Sequence, residues 1–148
     1  MIRIISRILF KYCDLQYLRK KLLLTIVVKG PVERLHIGRY VDLQDAVLNT
    51  NSGSIFIGDH SFCGHGCMIL TGTHDYSFTN RKRQQEHPTE GYDIHIGNGV
   101  WIASGAIICG NVKIVDNVVI AAGAVVVKDC LEPGFYAGVP AIKIKDLL

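Results

Sequence analysis

The chain has 148 residues, of which 49% are hydrophobic and 20% charged, which indicates one folded domain and excludes a disordered chain. Its net charge of +3 is unevenly distributed: residues 1–29 sum to +6 and the other residues to −3, so the main body lacks a basic footprint for nucleic acid. The five cysteines are odd in number and lack paired spacing. We therefore expect a reduced, cytoplasmic protein.

Residues 1–30 are predicted to form a basic, mostly helical segment, because apolar residues recur through 2–28 at loosely helical spacing. Two roles are open for it. The segment either caps the open end of the following domain, as solenoids require, or residues 1–29 lie as an amphipathic helix on an anionic membrane. The run from Leu22 to Val28 is too short to span a membrane.

Residues 96–131 repeat with a period of six. The first place of each hexad is Ile or Val, and the fifth is small or β-branched. The fourth place is Gly, Asn or Asp, the types that best tolerate the left-handed backbone region. In chain order the three columns are Ile96, Ile102, Ile108, Ile114, Ile120 and Val126; then Val100, Ala106, Val112, Val118, Ala124 and Cys130; then Gly99, Gly105, Asn111, Asn117, Gly123 and Asp129.

This period predicts a mainly β domain over 31–148, a parallel β-helix whose coils of about 18 residues have three flat faces. Ile57, Cys63 and Ile69 continue the first column, and Gly66 and Gly72 the fourth. Ile37 and Leu43 belong to an earlier coil that is out of phase by two residues, so we expect an insertion around 49–54. A long loop, 74–93, should leave the coil, and a tail, 132–148, departs from the pattern.

His74 is the candidate general base. It occupies the outward-facing sixth place of its hexad, at the point where the long loop leaves the coil. Transfer of an acyl group from a thioester to an alcohol needs a base, and histidine suits this role near neutral pH. The alternative is an ordinary surface histidine.

Three runs of sequence resemble the hexapeptide-repeat acyltransferases, in particular the sugar O-acetyltransferases of the galactoside, maltose, nodulation-factor and polysaccharide-unit types. They are Ile69-Leu70-Thr71-Gly72-Thr73-His74-Asp75-Tyr76-Ser77, Ile96-Gly97-Asn98-Gly99-Val100-Trp101-Ile102 and Ala137-Gly138-Val139-Pro140-Ala141. The resemblance covers about residues 36–148. It implies left-handed coils, a homotrimer with active sites between neighbouring subunits, acetyl-CoA as co-substrate without a metal, and His74 as the general base.

The same resemblance assigns the CoA contacts to Trp101, Ser104, Ala122, Lys128 and Lys145. The repeat supports two of them independently, because Ser104 and Ala122 are 18 residues apart and should stack at one corner of successive coils. On the acceptor side, Gln44 stands where the family has an asparagine. Asp75, which is also the candidate for orienting His74, and Asp93 complete the acceptor-side candidates.

The implied reaction is O-acetylation of a sugar hydroxyl on a small-molecule or lipid-linked saccharide. The expected location is the cytoplasm, with the inner face of the membrane as the alternative for a lipid-linked acceptor. Three alternatives stay open at this point. An N-acetyltransferase acting on an amino sugar is the nearest. A zinc β-helix resembling the carbonic anhydrases would use His60 and His65 with His36, and a non-enzymatic scaffold would use none of these residues.

Overall fold

The computed structural model describes residues 26–147, which wind into triangular coils. Three parallel sheets form the faces, and we call them A, B and C. Sheet A contains β1, β3, β6, β9 and β12; sheet B contains β2, β4, β7 and β10; and sheet C contains β5, β8, β11, β13 and the antiparallel β14. The strands are β1 Val27–Lys29, β2 Leu35–Ile37, β3 Val47–Asn49, β4 Ile55–Ile57, β5 Phe62–Cys63, β6 Met68–Leu70, β7 Ile94–Ile96, β8 Trp101–Ile102, β9 Ile107–Cys109, β10 Val112–Ile114, β11 Val118–Ile120, β12 Val125–Val126, β13 Gly134–Ala137 and β14 Ile142–Lys145; the helices are a 3₁₀ turn at Val32–Arg34 and α1 at Asn80–Gln85.

The strand register confirms the coil of 18 residues in the second half of the chain. Residues 94, 101 and 107 pair with residues 112, 119 and 125, each 18 positions later. The expected insertion also lies where the phase shift placed it, between β3 and β4. The step from Val47 in β3 to Ile55 in β4 is eight positions, whereas the equivalent step from Ile107 to Val112 is five, so three residues are inserted at this corner. The stretch from β2 to β3 is one residue shorter than the equivalent stretch from β4 to β6, which leaves the net phase shift of two.

The interior consists of the predicted columns. All six residues of the first column from Ile96 to Val126 are at most 4% exposed, and so are the six of the fifth-place column. Because the strands are short and each coil pairs with the next, every inward side chain stacks on its counterpart about one strand spacing away. The core is thus one continuous apolar stack.

The three kinds of corner are named by the sheets they join. Corner AB includes residues 50–54, 71–93 and 110–111; corner BC includes 58–61, 97–100 and 115–117; corner CA includes 43–46, 64–67, 103–106 and 121–124. Five residues of the fourth-place column, from Gly99 to Gly123, have the predicted positive φ of 57° to 70°.

Asp129 and Gly72 depart from that prediction, because neither has a positive φ. The corner at Asp129 is shortened: Ile114 pairs with Cys130, only 16 positions later, and the Asp129 carboxylate accepts the Lys113 backbone N–H at 2.8 Å. At Gly72 the chain has already left the coil and entered the long loop.

The β-helix includes residues before its predicted boundary, and the tail that leaves the hexad pattern adds strands to it. Val27–Lys29 form strand β1, which pairs with β3, so the helical prediction is wrong for these three residues and so is the domain boundary at 30. Residues 1–25 and 148 lie outside the described part of the chain. In the tail, β13 adds a further parallel strand to sheet C, and β14 folds back antiparallel to it. Among the described residues, no helix has the length and apolar character to cross a membrane.

Candidate active site

The long loop at corner AB is held to the coils by side-chain hydrogen bonds. Arg34 reaches from the first coil and donates to the Thr89 carbonyl at 2.6 Å. Asp93 closes the loop, because its carboxylate accepts the backbone N–H of Ser54 at 2.7 Å. Asp93 therefore anchors the end of the loop, and it lines neither of the cavities that contain His74.

His74 lies at the base of this loop, with its side chain exposed. Its Nδ1 is 3.3 Å from the backbone carbonyl oxygen of Glu86. A carbonyl oxygen can only accept a hydrogen bond, so the ring proton of neutral His74 resides on Nδ1. Nε2 is then left with a free lone pair, as a general base requires. Sequence reasoning missed this partner, because a backbone carbonyl has no residue-type signal.

Two cavities flank His74. One, of about 480 Å³, is lined by loop residues that include Asp75, Tyr76, Phe78 and Tyr92. The other, of about 420 Å³, opens beside sheet A and is lined by polar residues: Asn49, Asn51, Thr73, Gln84 and Gln85. His87 lines both cavities, with its ring edge-on to His74 at a centroid distance of 6.2 Å. The general base thus has open space on two sides.

Asp75 does not orient His74. Its Oδ1 accepts hydrogen bonds from the Ser77 hydroxyl and, at 2.9 Å, from the Ser77 backbone N–H. These two bonds lower the pKa of the Asp75 carboxyl below its ordinary value, the hydroxyl having the larger effect. The carboxylate nevertheless lines the larger cavity and is available there to a ligand.

Ser104 and Ala122 stack at corner CA, as the 18-residue spacing predicts. The Gly105 N–H donates to the His65 carbonyl at 2.9 Å, and the Gly123 N–H donates to the Ser104 carbonyl at 3.0 Å. His65, Ser104 and Ala122 therefore occupy the same place in three successive coils, and all three are exposed.

The other predicted CoA residues lie elsewhere. Trp101 projects from the outer face of sheet C and stacks on Phe62, with ring centroids 5.8 Å apart. Lys145 is on the same sheet, with Nζ 5.7 Å from the centroid of Phe135. Lys128 follows β12 in the last corner AB. Trp101 and Lys145 thus lie on the sheet that adjoins the corner of Ser104 and Ala122, whereas Lys128 lies in a different corner.

His74 and the Ser104–Ala122 column lie at opposite ends of the sheet A strands, so one chain does not unite the predicted base with the predicted CoA groove. Gln44 also lies at corner CA, where its amide donates to Asp42 at 2.7 Å, and it does not contact His74. Asn49, which ends β3, and Asn51 are the asparagines that border the smaller of the two cavities beside His74.

The zinc alternative finds no support in the described residues. His60 lies at corner BC, stacked on Tyr40 at 5.0 Å, whereas His65 lies at corner CA. Cys63 and Cys67 are buried in the core, as expected for small inward residues. Across residues 26–147, no three His, Cys, Asp or Glu side chains come together as a metal site would require.

Residues 93–128 match the family model of the bacterial transferase hexapeptide with six repeats. The galactoside O-acetyltransferase of Lactococcus lactis is 30% identical over 117 residues, which are 77% of this chain and 55% of that protein. The match to the family model assigns residues 93–128 to the hexapeptide-repeat family of bacterial transferases. It spans about half the length of the curated relatives that it matches.

Solved structures agree with this assignment. A maltose O-acetyltransferase from Clostridium difficile 630 superposes with a TM-score of 0.69 at 25% identity, over 99% of this chain and 84% of that one. A galactoside acetyltransferase in complex with coenzyme A superposes with a TM-score of 0.65 at 26% identity, over 90% of this chain and 70% of that one. These matches confirm the predicted left-handed parallel β-helix fold.

Proposed function

We propose that this chain is an acetyl-CoA-dependent O-acetyltransferase that acts on a sugar hydroxyl of a polysaccharide or glycan precursor, in the cytoplasm. One observation carries the proposal: His74 is held by Nδ1 on the Glu86 carbonyl, with Nε2 free beside two open cavities. The galactoside and maltose O-acetyltransferases to which the chain is similar support the nature of the acceptor.

The chemistry follows from the tautomer of His74. Nε2 takes the proton of the acceptor hydroxyl while its oxygen attacks the thioester carbonyl of acetyl-CoA. The tetrahedral intermediate then collapses with cleavage of the carbon–sulfur bond, and the imidazolium returns the proton to the departing thiolate. The products are the acetyl ester and CoA with a free thiol. The step needs neither a covalent enzyme intermediate nor a redox change.

A complete site on this proposal needs a second copy of the chain. The outer face of sheet A is apolar: Val47, Met68, Ile107 and Val125 align across four strands, and Met68 is 39% exposed. An exposed apolar sheet face favours association. If three copies turn sheet A toward a threefold axis, corner AB of each meets corner CA of its neighbour. His74 of one copy then faces the Ser104–Ala122 column of the next.

The test is to replace His74 by alanine and to measure free thiol released from acetyl-CoA with hydroxyl and amino monosaccharides as acceptors. We expect the rate to fall about 10²- to 10⁴-fold, as is typical for loss of a general base. The matched control is His36→Ala, which removes another exposed histidine, stacked on Phe56 on the outer face of sheet B. An undiminished rate in H74A would rule out the mechanism. Acetylation of amino sugars alone would identify an N-acetyltransferase.

A further inference from the structure

A second histidine, with a carboxylate partner, lies at corner CA and takes no part in the reaction described above. His65 Nδ1 is 3.3 Å from Asp45 Oδ1, and the same oxygen accepts the Gly66 backbone N–H at 2.9 Å. The His65 side chain is 67% exposed, so the pair faces solvent. Asp45 comes from the preceding coil, and the pair therefore joins two coils at this corner.

The partner determines which nitrogen of His65 is presented. The Gly66 N–H is the main cause that lowers the pKa of the Asp45 carboxyl, which is thus ionised at neutral pH. A carboxylate only accepts hydrogen bonds, so Nδ1 of the imidazole carries a proton. In the neutral ring, Nε2 is left as a hydrogen-bond acceptor that points away from Asp45.

The position of His65 relates it to both halves of the proposed site. It is the next residue in the Ala122–Ser104 column, one coil beyond Ser104. It also lies in the same coil as His74, because β6 joins the two, with His65 before the strand and His74 after it. His65 and His74 are therefore at the same height along the β-helix, at opposite ends of strand β6.

We infer that His65, oriented by Asp45, positions the acceptor in the active site that its corner forms with the neighbouring copy. This inference rests on the proposed function. If CoA lies over Ala122 and Ser104, its thioester ends at the coil of His65, opposite His74 of the neighbouring copy. Nε2 of His65 accepts a hydrogen bond from a second hydroxyl of the acceptor. The preferred acceptor class is a saccharide with a free hydroxyl next to the one that is acetylated.

The kinetic test compares His65→Ala with wild type on two acceptors: a monosaccharide with the vicinal diol and its deoxy analogue. Loss of one hydrogen bond should raise KM for the diol about 3- to 10-fold, leaving kcat, KM for acetyl-CoA and the melting temperature unchanged. On the deoxy analogue the two enzymes should be equal. Asp45→Ala should raise KM for the diol in the same way, with a lower melting temperature because the Gly66 N–H loses its acceptor, and His36→Ala should leave KM unchanged. Equal losses on both acceptors, or unchanged KM on the diol, would overturn the role.

The placement of His65 has a test that needs no activity. In the double variant His65→Cys with Gln84→Cys, a short bismaleimide should join different copies into covalent dimers and trimers, because Gln84 lines the cavity of His74. The control pairs Gln84→Cys with Arg39→Cys, an exposed residue in the first corner BC, and should give no covalent dimers or trimers. If no covalent dimers or trimers form while the wild type is active, this inference alone is overturned. A wild type inactive on every acceptor would overturn the proposed function and this inference with it.

Discussion

Mixing two inactive variants tests directly whether the site is shared between copies. The first variant, His74→Ala, lacks the general base at corner AB. The second, Ala122→Trp, blocks the exposed groove at corner CA without touching the core, because Ala122 points outward. Each variant alone should be inactive. When they are co-expressed in equal amounts, some interfaces combine the intact His74 of one chain with the intact groove of the other.

The expected recovery follows from the geometry. In a cyclic trimer each site takes one corner from each of two neighbouring chains, so with random assembly about a quarter of the sites are intact in both corners. Homotrimers have no intact site, whereas every trimer that contains both variants has one intact site among its three, so purified mixed trimers should show about a third of the wild-type rate. If one chain supplied both corners of a site, every site would contain a defect and no activity would return.

The assay is release of free thiol from acetyl-CoA by trimers purified through two different affinity tags, one on each variant. Tandem purification ensures that every oligomer contains both variants. Ellman's reagent then gives the rate against wild type treated in the same way. Mixed oligomers that remain as inactive as the parent variants would refute the reasoning that corner AB of one copy and corner CA of its neighbour complete one site.

Two further predictions concern stability. Gly123→Ala should cost about 1 kcal/mol and lower Tm by a few degrees, because φ is +68° although the added Cβ meets nothing within 4 Å. Gly97→Ala should cost more, since its Cβ would lie 2.6 Å from the Asp116 backbone nitrogen. Thermal unfolding in which Gly97→Ala costs no more than Gly123→Ala would contradict this. The Arg39 backbone N–H and then its side chain lower the pKa of the Asp59 carboxyl, so this stabilisation is present above the unfolded pKa of about 3.9 and is lost as pH falls through the folded value. Asp59→Asn should therefore melt below wild type at pH 7, and the difference should shrink near pH 3; a constant difference would disprove the linkage.

The repeat was predictable in detail because it depends on local requirements. Each inward place must be apolar and each corner needs a residue that tolerates positive φ, so the columns from Ile96 and from Gly99 could be read without tertiary information. The departures occur where the coil changes length. Asp129 and Gly72 satisfy the pattern of residue types, but a shortened corner and the start of the long loop remove the need for a left-handed residue.

The site was predictable only in part. His74 was recognisable from its outward place at the start of the loop, and the stacking of Ser104 and Ala122 followed from their spacing of one coil. The partner of His74 is a backbone carbonyl from the far end of the loop, and the expected partner Asp75 is bonded to Ser77 instead. Loop contacts of this kind depend on how the loop folds back, which no period encodes.

The sequence by itself therefore determined the kind of coil, its 18-residue length, its core and the histidine at the base of the loop. These follow from a periodic pattern in which every residue's environment repeats. Only the tertiary structure decided that β1 belongs to the domain, that His65 pairs with Asp45, and that His74 and the Ser104–Ala122 column lie at opposite ends of the sheet A strands. Insertions and deletions determine which corner each residue reaches, and their effect appears only when the coils are stacked.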